Sequence, residues 1–276
     1  MLLLVGLAVA AGFVGAGLAG ITVTVFLHRG LTHGAIEMGR PLYELGRWMT
    51  WLTTFMRHWE WRRVHRKHHI YTDVWIDEIR HDPHSPVVIS TRDHIDGFRR
   101  VAWHMASIFH VEAQCPDIRD ATYDTDADRP LDGLDRRVFD RPVVGAVVTG
   151  ALYVAAFALL GPVVIDSRRA VGFEALCALA GVLALATHIG LLLRFGGAIN
   201  SDCHRGTTLH PGAGYAMNVG LLSVLIFGEG EHLTHHLYPQ LARISRRFDL
   251  GWRVIHALTL AGLARVVVDR DTILPR

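Results

Sequence analysis

Residues 2–33 read LLLVGLAVAAGFVGAGLAGITVTVFLHRGLTH: an uncharged run from Leu2 to Leu27 that leads straight into His28, Arg29 and His33. As a helix rising 1.5 Å per residue, this run is long enough to cross a hydrocarbon core about 30 Å thick. It lacks the basic leader of a signal peptide and is too long for the apolar core of one. Val143 to Ile165 and Ala175 to Leu193 carry no Asp, Glu, Lys or Arg either. Gly12, Gly15, Gly17 and Gly20 suit close helix packing in the first run. With 50% hydrophobic residues and a positive mean hydropathy, the chain is not an ordinary soluble domain. The expectation is a single all-α domain over residues 1–276. It is an integral membrane helical bundle of about three spans (2–27, 143–165 and 175–193).

The basic residues orient it. Of 28 Lys and Arg, 17 lie between His28 and Pro142 and 9 from Arg194 onward, which leaves only Arg168 and Arg169 between the second and third spans. The positive-inside rule then places 28–142 and 194–276 on the cytoplasmic side as a helical cap. Three spans would put Met1 on the other face. Trp48 to Met56 reads as an interfacial helix, Tyr215 to Phe227 as a short packed or re-entrant helix, and Trp252 to Val268 as a helix on the membrane or the cap. Asp117 to Arg141 reads as a solvated loop.

Histidines fall on the predicted cytoplasmic side in three clusters: His28 and His33; His65, His68 and His69; His232, His235 and His236. With 18 His in 276 residues, a given H-x-x-H-H is expected about 0.08 times by chance, so two copies are a signal. Spacings of i, i+3 and i+4 set three imidazoles on one helical face. His28 and His33 stand about 140° apart on an ideal helix, so that pair is expected to straddle two metals. Imidazole suits iron, zinc or copper, and eight ligands exceed the needs of one ion. Hydrolytic zinc sites usually add carboxylates in a water-facing pocket, whereas a centre at a membrane surface suits lipid chemistry. The three cysteines show no disulfide spacing, and Cys203 beside His204 reads as a small packing residue. His188, inside a span, reads as a helix–helix hydrogen bond.

The sequence resembles the integral-membrane fatty acid desaturases, above all their acyl-CoA delta-9 type. The likeness rests on His28-Arg29-Gly30-Leu31-Thr32-His33, His65-Arg66-Lys67-His68-His69 and Gly228-Glu229-Gly230-Glu231-His232-Leu233-Thr234-His235-His236, with Asp82-Pro83-His84 and Asn200-Ser201 followed by His204. It implies two iron ions held by nine histidines, the eight above and His204, with Asn200 reaching one metal through water. It also implies O2-dependent desaturation of an acyl-CoA or lipid-linked chain. Trp61 and Arg63 are candidate substrate contacts, Arg63 standing where the family meets CoA. Asp82 and His84 are candidates for orienting the ligand rings. No flavin or nicotinamide motif is evident, so two electrons come from an external donor such as cytochrome b5 or ferredoxin; no nucleic-acid partner is expected. Few Lys beside many Arg and Ala point to a GC-rich bacterial genome and hence a plasma membrane. Alternatives are a lipid hydroxylase or oxygenase with the same boxes, or a membrane b-type cytochrome with haem-ligating His pairs.

Overall fold

The computed structural model describes residues 1–73, 75–76, 79–80, 103–164, 172–268 and 270–273. Asp82 and His84, like His81 and His94, lie outside the described residues. The helices are α1 (Leu2–Ile21), α2 (Arg40–Met49), α3 (His58–Ile70), α4 (103–112), α5 (Pro116–Arg119), α6 (Pro142–Val164), α7 (Phe173–Asp202), α8 (Gly220–Leu225), α9 (His232–Leu237), α10 (Leu250–Leu260) and α11 (Arg270–Ile273). Two short antiparallel ladders accompany them, β1 (Ile36–Met38) with β4 (Ala264–Val266) and β2 (Trp75–Ile76) with β3 (Ile79–Arg80).

Among the described residues, three helices are long and apolar enough to span a membrane: Leu2–Thr32, Pro142–Val163 and Phe173–Asp202. Two of them exceed the sequence-based bounds. A 30-residue helix is about 45 Å long, so α7 outruns a bilayer by several turns and carries Asn200 to its end. The first span continues past Ile21 as a π-helix over Thr22–Thr32. Its i→i+5 pattern persists at the end, where the His33 N–H donates to His28 O (3.1 Å) and the Thr32 hydroxyl to Leu27 O (2.8 Å).

Small residues set the spacing of the bundle. A Cβ at Gly12 would overlap Thr187 and the Ala184 carbonyl, one at Gly15 the Tyr153 hydroxyl and His188, and one at Gly20 the Phe227 ring. Gly17, expected to serve the same packing, faces open space. Leu4, Ala8, Cys177, Ala180 and Ala184 form the core between α1 and α7. His188 takes the expected role: its Nε2 lies 2.9 Å from Thr53 O, tying α7 to the π-turn Thr50–Thr54 that ends α2.

The cap departs from the sequence reading in detail. Only Gly220–Leu225 of the 215–227 stretch is helical, and α10 stops at Leu260 because Gly262 (φ 70°) turns the chain into β4. The 117–141 loop holds a π-turn at Asp135–Phe139. That loop is fastened by Arg47, which is 2% exposed and reaches Asp132 (2.7 Å), Asp135 (2.8 Å) and Glu44 (2.9 Å).

Gly12→Leu is expected to destabilise the protein by about 1–3 kcal/mol by forcing α1 from α7. Gly17→Leu should stay within about 0.5 kcal/mol of the parent. Thermal unfolding in detergent checks the pair.

Candidate metal centre

The fold gathers nine imidazoles into two groups. His28, His33, His65, His69 and His235 form one, and His68, His204, His232 and His236 the other; within each, the ligand-type nitrogens all lie within 4.8 Å of one another. The π-helix explains a difference from the sequence reading: His28 and His33 belong to the same group, because i→i+5 winding brings onto one face two residues that an α-helix would separate. On α3 and α9 the i, i+4 pairs stay together (His65 with His69, His232 with His236) while the residue before the second member crosses over. His68 serves the second group and His235 the first.

The Nε2 atoms face one another. His235 Nε2 is 2.9 Å from both His28 Nε2 and His69 Nε2, and His65 Nε2 is 3.2 Å from His69 Nε2. In the second group the separations are 3.0 Å for His204–His232, 3.1 Å for His232–His236 and 3.3 Å for His68–His236. The His28 Nδ1 sits 2.8 Å from Glu229 Oε2, and the His204 Nδ1 3.1 Å from Asp73 Oδ2. A carboxylate only accepts, so each Nδ1 carries the proton and each Nε2 presents a lone pair. His33 Nε2 is buried without a partner. Nitrogens about 2.1 Å from a common ion are separated by distances of this size, so the donor set fits a metal ion in each group.

Electrostatics agree with that fit. Burial first, then the proximity of other rings, holds His33, His65, His69, His232, His235 and His236 well below the ordinary imidazole range. Neutral rings are what metal binding requires. Burial alone would raise the Glu229 carboxyl, but His28, Arg29 and a hydrogen bond from Thr24 bring it down to about 2.

Glu229 and Asp73 were missed by sequence reading, although each lies within four residues of a box histidine. Asp73 occupies a left-handed turn (φ 55°) after α3 and also accepts the Tyr215 N–H at 2.7 Å. Glu229 is anchored by Arg29, whose guanidinium bridges it (3.2 Å) and Asp249 (2.9 Å). Gly228 (φ 102°) precedes it because a Cβ there would overlap the Asp249 carboxylate.

A cavity of about 490 Å³ adjoins the groups, lined by His28, His65, His232 and Asn200 among apolar residues of α1, α4 and α7. Trp61 stacks on His65 (4.7 Å between centroids) and forms part of this wall. Asn200 donates through Nδ2 to Gly196 O (3.0 Å). The buried Arg63 guanidinium holds Asp124 through Nε and Nη2 (2.9 and 2.7 Å) and the Ile118 carbonyl through Nη1, a tie within the cap. Cys203 is buried outside both groups, its thiol pushed up by burial to about 12, in keeping with a packing role.

A family model described as fatty acid desaturase matches residues 2–248. The sn-1 stearoyl-lipid 9-desaturase of Synechocystis sp. is 26% identical over 253 residues, covering 89% of this chain and 67% of that protein. Delta-9 acyl-lipid desaturase 2 of Arabidopsis thaliana is 28% identical over 255 residues, covering 90% and 70%.

Glu229→Gln and Asp73→Asn are each expected to weaken metal retention about 10–100-fold, measured by metal content after graded chelation. Metal-free protein should also lose stability as pH falls below about 6.5. The unfolded chain then binds protons that the depressed folded-state imidazoles refuse. Melting curves at pH 7.5, 6.5 and 5.5 check this, and equal stability would contradict it.

Proposed function

The chain belongs to the fatty acid desaturase family and is an oxidoreductase acting on fatty acyl chains, and on that premise we propose a delta-9-type desaturase that takes a lipid-linked acyl chain and uses a di-iron centre. The observation that carries the reading is the apolar cavity whose wall includes histidines of both groups. Its volume falls in the ~300–1,000 Å³ range of ligand pockets. In this reading the nine histidines hold two irons, and Asn200 meets the second group through water.

Bound there, the irons supply with O2 the oxidising power to remove hydrogen from unactivated methylenes. In the overall balance O2 accepts four electrons, two from the adjacent C–H bonds and two from an external donor, and leaves as two waters. The protein's own part is positional. The cavity wall fixes which carbons lie beside the histidines. Trp61 and its apolar neighbours keep water from the reacting carbons. Glu229 and Asp73 hold His28 and His204 in the tautomer that points Nε2 inward.

A lipid-linked substrate fits the cap better than acyl-CoA. Among the described residues, the basic side chains of α3 are spent on neighbours: Arg62 and Arg63 on Asp124, Arg66 on Asp128, and Lys67 on Glu112 and Asp117. Little of that positive charge is left for the phosphates of CoA. The two relatives named above carry lipid-linked substrates in their names. The spans and the charge bias support a site facing the cytoplasm, and the few Lys beside many Arg and Ala support a bacterial plasma membrane.

Expression followed by gas chromatography–mass spectrometry of cell lipids is expected to show new monounsaturated chains that vanish in His68→Ala. Pulse-labelled unsaturated product should appear in phospholipid before acyl-CoA. Hydroxylated chains would select the oxygenase alternative, and a Soret band in purified protein the cytochrome.

A further inference from the structure

The loop before α10 forms a second, shallower concavity of about 240 Å³, lined by Arg243, Ser245, Arg246, Arg247, Trp252 and Arg253, with Asp249 at its base. Its charge is unbalanced. The Asp249 carboxylate is already bound by Arg29 (2.9 Å) and by the Ile244, Ser245 and Trp252 N–H groups. Arg243, Arg247 and Arg253 make no carboxylate ion pair among the described residues. Arg270 of α11 joins them by donating to Ile244 O, and its Nε is buried without a partner. Burial and then the like charges of Arg246 and Arg243 pull the Arg270 guanidinium below its ordinary range, against the smaller opposing pull of Glu231 and Asp271.

The concavity sits where the first span emerges. Ile255 of α10 is buried against Val25, with Ile21 packed beside them, and both partners belong to the span Leu2–Thr32. The opposite face of α10 exposes Arg253, His256, Ala257 and Leu260 at i, i+3, i+4 and i+7, and Leu263 and Val267 continue the exposed apolar surface. A basic pocket beside exposed apolar residues and Trp252 has the composition of a membrane interface. The geometry points to a site for the phosphate of an anionic glycerophospholipid, clamped by Arg243, Arg247 and Arg253 and separate from the acyl cavity. Arginine forks suit phosphate oxygens, and the negative leaflet surface supplies the ligand at high local concentration. Through Asp249, Arg29 and Glu229 the site lies one ion-pair chain from His28.

The test is native mass spectrometry of the metal-loaded full chain in detergent, titrated with phosphatidylglycerol, with a neutral diacylglycerol, and with inorganic phosphate as competitor. Saturable binding of one phosphatidylglycerol is expected, not matched by diacylglycerol and not displaced by millimolar phosphate. Arg247→Gln and Arg243→Gln should each weaken it about tenfold. Arg253→Gln, at an exposed position on α10 with its guanidinium over the Phe248 ring, gives a further variant outside the loop and should weaken binding similarly. Unchanged affinity in all three variants, with iron content and melting temperature at parental values, would overturn the site. Displacement by phosphate alone would show a soluble-anion site and overturn the lipid assignment. So would loss of binding to an acidic ferredoxin, with lipid binding kept, which would mark a docking face for the electron donor.

Discussion

Burying nine imidazoles with their ring nitrogens turned toward one another is the constraint on which the rest of the molecule depends. Nitrogens 2.9–3.3 Å apart across two groups repel unless a cation lies among them, and burial denies them water. Such a cluster forms only if other interactions impose it. The long rods of α1 and α7, seated on small residues, fix two sides. Glu229 and Asp73 then fix the tautomers of His28 and His204, each held in turn: Glu229 by Arg29, and Asp73 by the Tyr215 N–H. The stability of the bundle is in this sense spent on pre-forming a donor set that suits metal ions.

The distribution of ligands follows from helical geometry. Each H-x-x-H-H helix keeps its i, i+4 pair for one group and lends its i+3 residue to the other, so α3 and α9 interlock. A substitution at His68 or His235 therefore disturbs both helices' arrangement, whereas Asp73 and Glu229 each address a single group. The cavity wall draws on both groups at once, with His28 and His65 of the first and His232 of the second.

Much of this was legible in the sequence. The spans follow from uncharged length, the clustering of the box histidines from their spacing, and the place of His204 beside them from its position in a family pattern. What escaped reading did so for identifiable reasons. An ideal helix sets His28 and His33 apart, and nothing in Thr22–Thr32 announces π-winding, so the pair was assigned across two metals and not to one group. The extension of α7 to Asp202 overrides Arg194, because a charged residue ends a membrane span without ending a helix. The ion pair of Arg63 with Asp124, 61 residues away, is a pairing that only tertiary structure reveals. Glu229 and Asp73 stood in plain view beside the boxes, but adjacency in sequence does not say which carboxylate will face a ligand's Nδ1.

The central claim is that the two histidine groups are two metal sites of unequal ligand number. Mössbauer spectroscopy of protein loaded with the iron-57 isotope, together with total iron per chain, tests it most directly. The account predicts two irons per chain and two distinct signals of equal area, both with nitrogen-dominated ligation. A single iron per chain, or one signal with carboxylate-bridged character, would contradict it.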